Sequence, residues 1–258
     1  DVVLVSANGK DATFVNGVRI LGRGITKPRN RLSRLFVTGP KVFLRGLRER
    51  ADIYHFHDPE LVWAGLILRA FGKHVVYDVH EHVPAAILTK HYIPRFFRTS
   101  VAWVFDHVER SVARFFSGIA ATSKEISDRF PAKKTILVEN YAMSTEFSEA
   151  RAKIPFSERE NWIVYIGVLS SARGITKVLD ALEFVPDRYG VRLQLGGNFS
   201  PASYERELKN HPKWNQVDFH GFMDRSQMLE VFSQSKIGLV LYQPTPNKMV
   251  TSANKVFE

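Results

Sequence analysis

Four groups of residues in this 258-residue chain are of types that do chemistry. His55-Phe56-His57-Asp58-Pro59-Glu60 and Tyr77-Asp78-Val79-His80-Glu81-His82 each follow a short apolar run. Their imidazoles and carboxylates therefore sit where strands end, and the carboxyl ends of parallel strands line the ligand crevice of an open α/β sheet. Gly167-Val168-Leu169-Ser170-Ser171-Ala172-Arg173-Gly174 runs from a strand pattern into a helix pattern that carries Lys177. A glycine loop feeding a helix start offers unpaired N–H groups and a positive dipole end, which suits an anion such as a diphosphate. Arg173 and Lys177 are four residues apart; on one helix they would share a face and grip the same anion. The plain alternative is a solvated basic turn. The fourth group closes the chain: residues 244–258 come after the apolar run 237–242, read as a buried strand, and end in Asn254-Lys255-Val256-Phe257-Glu258. Glu258 would lie in the first turns of a helix, where a carboxylate accepts bonds from sugar hydroxyls.

A metal centre at the histidines is tempting, because His and Asp are ligand types. Alternate residues on one strand share a face without converging, however, and the spacing anchors no third ligand. Nor does the chain contain an Asp-x-Asp pair to hold a divalent ion against a nucleotide diphosphate. No metal and no cofactor are expected.

The elements that must position these groups have a βαβ rhythm. In the first half, strands are expected at residues 2–5, 17–21, 52–57, 73–78, 118–123 and 135–138. Helices are expected from the basic loop 27–34 to about residue 50, at 59–70, within 91–117 and at 124–130. Residues 141–160 are polar and read as a linker. In the second half, strands are expected at 162–166, 191–197, 217–221 and 237–242, with helices at 175–185, 203–211 and 225–235. Strands alternating with helices imply parallel sheets with covered faces. Two domains result, residues 1–150 and 151–258.

Composition bounds the partners. Apolar residues make up 45% of the chain, enough for full cores. No apolar run reaches the ~20 residues that cross a bilayer. The first residues lack the basic start and small-residue cleavage site of a secretory signal. With no cysteine, neither disulfides nor thiolates are available, and a cytoplasmic location is expected. The net charge of +10 is lopsided: residues 1–140 hold 22 Lys and Arg against 13 Asp and Glu, the remainder 14 against 13. A basic first half suits phosphates, an anionic membrane or nucleic acid. Within 91–117, Val101, Val104, Phe105, Val108, Val112 and Phe115 recur at helical spacing. Arg95, Arg98, Arg110 and Arg114 surround them, with Phe96, Phe97 and Trp103. Such a helix lies on a membrane surface or packs as a core helix with a basic outer face.

Several of these motifs resemble, in order, those of glycosyltransferase family 4. Asn254-Lys255-Val256-Phe257-Glu258 resembles its P-N-K-hydrophobic-F-E segment, and the two histidine motifs resemble its H-x-H-D-P-E and Y-D-x-H-E. The loop 167–174 resembles its Gly-Arg-x-x-x-x-Lys-Gly, with Arg173 at the lysine and Val168 at the arginine; Lys177 is a plausible substitute for the second cation. The resemblance implies a GT-B fold, two Rossmann-like domains whose parallel sheets face an interdomain cleft. Both would be incomplete. The first would lack a strand and glycine loop before Asp1, and the second the body of the Glu258 helix and the elements beyond it.

It further implies that the first domain binds acceptor and the second a nucleotide-sugar donor. His80 would lie beside the donor sugar, and His57 and Asp58 would bind substrate. Gly167, Arg173 and Lys177 would hold the diphosphate, backbone at Phe222 and Met223 would meet the base, and Asn254, Lys255 and Glu258 would hold the rest of the donor, Glu258 on the ribose. The family's first glutamate of a Glu-x7-Glu pair is replaced by Val250. The implied activity is a retaining, metal-independent hexosyl transfer from a UDP- or GDP-sugar to a glycan or lipid-linked acceptor. That fits polysaccharide synthesis at the inner face of a membrane, where the protein would be peripheral. An inert nucleotide-sugar-binding module, a nucleotide-sugar epimerase and a basic nucleic-acid-binding protein are the alternatives. The last lacks any recognised nucleic-acid motif, so nucleic acid is not an expected partner.

Overall fold

The computed structural model describes residues 1–10, 13–90, 92–141, 154–241 and 243. The chain divides into two compact units, Asp1–Glu139 and Asn140–Glu258.

The first unit holds two sheets. β1 (Val2–Val5) pairs in parallel with β3 (Val18–Leu21), which pairs in antiparallel with β2 (Thr13–Val15). The hairpin turns at Asn16 and Gly17, with φ of 49° and 81°, the double left-handed geometry that Asn-Gly supplies at two-residue turns. The sequence marks that turn but not β2, which is too short to show alternation. The second sheet is wholly parallel, in the order β4 (Ile53–Phe56), β5 (His74–Val79), β6 (Gly118–Ala121) and β7 (Thr135–Leu137).

The helices of this unit are α1 (Arg31–Ser33), α2 (Gly39–Arg48), α3 (Val62–Ala70), α4 (Val83–Leu88), α5 (Arg95–Ala113) and α6 (Lys124–Ser127). A π turn, Arg34–Thr38, joins α1 to α2. Asn30 opens α1 with a capping box whose partner is Ser33. α4 is too short to show a helical period in the sequence; the His82 side chain caps it by accepting from the Ala85 N–H at 3.1 Å.

Alternation along β5 explains the core. Val75, Tyr77 and Val79 are buried with Phe56 of β4, and Phe116 and Phe130 pack against them. Phe56 stacks on Tyr77 at 4.9 Å and meets Phe116 edge-on at 5.6 Å. Tyr77 donates to Glu109, which Arg129 also contacts, and Arg129 reaches Asp106. Burial is the first cause, and Glu109 the second, that pushes the Tyr77 phenol far above its ordinary value.

This network corrects the expected face of α5. The helix buries Ala102, Glu109 and Ala113. Val101, Val104 and Val108 of the expected stripe are exposed, as are Phe96, Phe97, Trp103 and, just past the helix end, Phe115. A buried polar network claimed the inward face, and apolar periodicity does not register such a network.

The second unit is one parallel sheet. β8 (Glu160–Ile166), β9 (Arg192–Gly196), β10 (Val217–Gly221) and β11 (Ser235–Gly238) stand in the order β10-β9-β8-β11. Its helices are α7 (Ile175–Leu182), α8 (Tyr204–Lys209) and α9 (Arg225–Gln234). Asp224 and Gln227 form the capping box that opens α9. Ile175, Val178, Leu179 and Leu182 of α7 pack on Leu193 and Leu195 of β9 in the second core. The run 237–242, expected as a buried strand, is a shorter one. β11 pairs only with β8 among the described residues, and Ile237 is 51% exposed.

Candidate functional site

The chain runs β8, β9, β10 outward on one side, then returns to place β11 on the other side of β8. That reversal is a topological switch point, and crevices open there at the carboxyl ends of the strands. The loop after β8 is the one that occupies it. Gly167 N–H donates to the Gly196 carbonyl at 2.8 Å, and Gly197 N–H to the Gly221 carbonyl at 2.6 Å. Gly167, Gly197 and Gly221 have φ of 148°, 131° and 67°, so three adjacent strands end in glycines with left-handed backbone. A Cβ on Gly197 would collide with the Gly167 carbonyl. The edge is therefore bare backbone, which lets a ligand approach closely.

Beyond Gly167 the loop is firmly held. Leu169 is fully buried, and its N–H donates to Asn198 at 3.0 Å. Val168, at the position the family resemblance gives to arginine, is 50% exposed. Ser171–Arg173 form a single 3-10 turn, Gly174 takes the left-handed conformation (φ 70°), and α7 begins at Ile175. On the far side of the switch point, Gln243 N–H donates to the Ala172 carbonyl at 3.1 Å and ties the segment after β11 to this loop.

The expected pairing of Arg173 with Lys177 on one helical face does not form. Gly174 breaks the helix between them, so i,i+4 spacing carries no common face. Arg173 is half-buried in the 3-10 turn. Lys177 is exposed and pairs with Asp180 at 3.2 Å. The Lys177 hydrogen bond, and next that of His211, hold the Asp180 carboxyl below its ordinary value. Tyr204 has no signal in the sequence: its hydroxyl accepts from the Thr176 N–H at 3.0 Å and lies 2.6 Å from Thr176 Oγ1, satisfying one of the first-turn donors of α7. Phe222 is 76% exposed just past β10. Met223 reaches back over the end of β9, its Sδ 2.6 Å from where a Gly196 Cβ would stand. Asn254, Lys255, Glu258 and Val250 lie outside the described residues.

In the first unit the parallel register supplies what the spacing lacked. Ile53 pairs with His74 and Phe56 with Tyr77, so His55 and His57 share a sheet face with Asp78 and His80. His55 Nε2 lies 3.0 Å from Asp78 Oδ2, His57 Nδ1 3.2 Å from the same oxygen, and His80 Nε2 3.3 Å from Oδ1. His57 Nδ1 and His80 Nε2 are 2.8 Å apart. The expectation that these groups fail to converge is thus corrected: the residue opposite His57 on the neighbouring strand completes the cluster. Burial first, with the other two histidines, pulls the His57 pKa below its ordinary value against the opposing pull of Asp78. Asp58, the other expected binding residue of this motif, pairs with Arg34 at 2.6 Å. Asp78 and His55 are the members of this cluster whose grouping sequence spacing misses.

Comparisons with known proteins agree with this architecture. The glycosyl transferase 4-like domain family matches residues 1–137, and the glycosyl transferases group 1 family matches residues 146–243. Among solved structures, sucrose-phosphate synthase from Thermosynechococcus elongatus is 17% identical with a TM-score of 0.65, covering 96% of this chain and 67% of its own. α,α-Trehalose 6-phosphate synthase from Burkholderia multivorans is 12% identical with a TM-score of 0.60, covering 98% and 71%. HepE of Anabaena, in complex with UDP and glucose, is 18% identical with a TM-score of 0.56, covering 89% and 62%. This chain thus spans 62% to 71% of the length of these three proteins. No curated protein sequence matches it. At these identities the likeness speaks for the GT-B fold.

Proposed function

The chain belongs to the glycosyl transferase 4-like family, and from that premise we propose that it transfers a sugar from a nucleoside diphosphate donor to a glycan or lipid-linked acceptor. The observation that carries this reading is the glycine edge at the switch point of the second unit. Gly167, Gly197 and Gly221 leave bare backbone at three neighbouring strand ends. Arg173 stands in the loop that opens α7. A departing diphosphate needs charge stabilisation above all, and a preorganised cation with backbone N–H groups provides it without a metal on the phosphates. Tyr204 occupies the Thr176 N–H, and the Gly167, Leu169, Arg173 and Gly174 N–H groups donate within the fold, so the Arg173 side chain carries the larger share.

Phe222 and Met223 are assigned to the base, and His80 to the donor sugar, where an imidazole can meet charge developing on the ring. Asn254, Lys255 and Glu258 are assigned to the remainder of the donor. Retention of configuration is part of the proposal. A UDP donor is favoured over GDP because HepE, of the same fold, is bound to UDP and glucose. An acceptor at an anionic membrane surface is supported by Phe96, Phe97, Trp103 and Val104, exposed on α5 among Arg95, Arg98 and Arg110. No helix of the described residues is long and apolar enough to cross a membrane.

The test is a thermal-shift series with UDP, GDP, ADP, dTDP and a DNA oligonucleotide. One nucleoside diphosphate should raise the melting temperature with its concentration, as mass action requires. Stabilisation by the oligonucleotide alone, lost with added salt, overturns the reading.

A further inference from the structure

We propose that His55, His57 and Asp78 form a binding site for one divalent transition-metal ion of the zinc class, with solvent completing its shell. The donor atoms of His55, His57 and Asp78 all lie within 4.8 Å of one another. Asp78 Oδ2 stands 3.0 Å from His55 Nε2 and 3.2 Å from His57 Nδ1. Four ligands at about 2.0–2.1 Å from a tetrahedral ion stand about 3.3 Å from each other. The cluster is therefore already near the size of a coordination shell, and slight ring movements would admit the ion.

The donor chemistry selects the class of ion. Imidazole nitrogens with one carboxylate suit zinc and its neighbours, whereas magnesium and calcium take shells of oxygen. Placement comes from the backbone. The β4–β5 ladder fixes His55, His57, Asp78 and His80 on one face, opposite the packed face of Phe56, Tyr77 and Val79. Access is open, because the side chains of His55, His57 and His80 are 49%, 56% and 40% exposed. The Asp78 side chain is 15% exposed and forms the floor. The ion would clamp the end of β4 to β5, and the site stands whether or not the chain transfers sugar.

Calorimetric titration of chelator-stripped protein with zinc chloride tests this, with magnesium chloride as the comparison. The expected result is one zinc per chain, no binding of magnesium, and affinity at least tenfold weaker in His55→Ala and in His57→Ala. Both rings are exposed, so the stripped variants should melt like the stripped parent, which separates loss of ligand from loss of fold. Cobalt(II) bound in place of zinc should show the visible absorption of a four-coordinate ion, lost in the double variant. Absence of saturable zinc binding, or unchanged affinity in His55→Ala/His57→Ala, overturns the assignment.

Discussion

His57 Nδ1 stands 2.8 Å from His80 Nε2, across two strands of one sheet. Only one proton fits between the two nitrogens, so the tautomer of either ring sets that of the other. His80 is the ring assigned to the sugar, and His57 is the ring that positions it. Replacing His80 with Ala should lower kcat about 100-fold, the usual cost of one preorganised transition-state contact. His57→Ala should cost about tenfold and change the shape of the pH–rate profile. Equal pH profiles for His57→Ala and the parent would remove the coupling.

Arg173 and Lys177 should prove unequal. Lys177 is exposed and held by Asp180, one turn along α7, whereas Arg173 sits in the loop itself. Arg173→Ala should lower kcat by about 10²–10³, and Lys177→Ala by only a few-fold. Steady-state kinetics with saturating donor reads both. The opposite ranking would move the diphosphate away from the 3-10 turn.

Gly197→Ala should destabilise the second unit. The new Cβ meets the Gly167 carbonyl, and φ of 131° is strained for any L side chain. A loss of at least about 2 kcal/mol is expected in urea unfolding. A variant as stable as the parent would mean the β8 and β9 ends can separate.

Glu109→Ala should be among the costliest single changes in the first unit. Glu109 is 2% exposed and accepts from Tyr77 at 2.8 Å and Arg129 at 2.5 Å. Its removal takes one of two carboxylate partners from the buried Arg129 guanidinium, Asp106 remaining, and leaves the Tyr77 hydroxyl unpaired, a loss of about 3 kcal/mol. Tyr77→Phe, which leaves the Glu109–Arg129 pair, should cost about 1 kcal/mol. Urea titration of the two variants distinguishes a shared network from separate contacts.

The Arg192–Asp218 pair sets an acid limb. Arg192 grips Asp218 through two nitrogens and Gln194 adds a bond at 2.7 Å, so the Asp218 carboxyl is held below its ordinary value chiefly by Arg192. A depressed carboxyl contributes stability that is present above the unfolded value near pH ~4 and fades as pH falls through the lower folded value. Asp218→Asn should cost up to about 1 kcal/mol at pH 7 and flatten the decline below pH ~4. An unchanged acid limb in this variant would assign the decline to other carboxylates.

Much of the fold was legible because apolar runs and glycine-ended strands recur in a βαβ order. Val75, Tyr77 and Val79 announce β5, and Gly174 followed by Ile175, Val178, Leu179 and Leu182 announces α7. What escaped depends on partners distant in sequence. Asp78 completes the histidine cluster only through the β4–β5 register, and Tyr204 caps α7 from 28 residues away. α5 turned the Glu109 side inward because Tyr77 and Arg129 wait there, which no helical wheel of that segment could express. The Arg173–Lys177 argument failed at one residue, Gly174, whose left-handed backbone ends the helical count. Glycines that read as loop punctuation end three neighbouring strands with left-handed backbone.

The most direct test is calorimetric titration of UDP into the parent protein, Arg173→Ala and His80→Ala. Binding at the switch-point loop predicts one UDP per parent chain, at least tenfold weaker in Arg173→Ala and nearly unchanged in His80→Ala, which is assigned to the sugar rather than the diphosphate. UDP and GDP both failing to bind the parent, or binding equally to Arg173→Ala, would contradict the account.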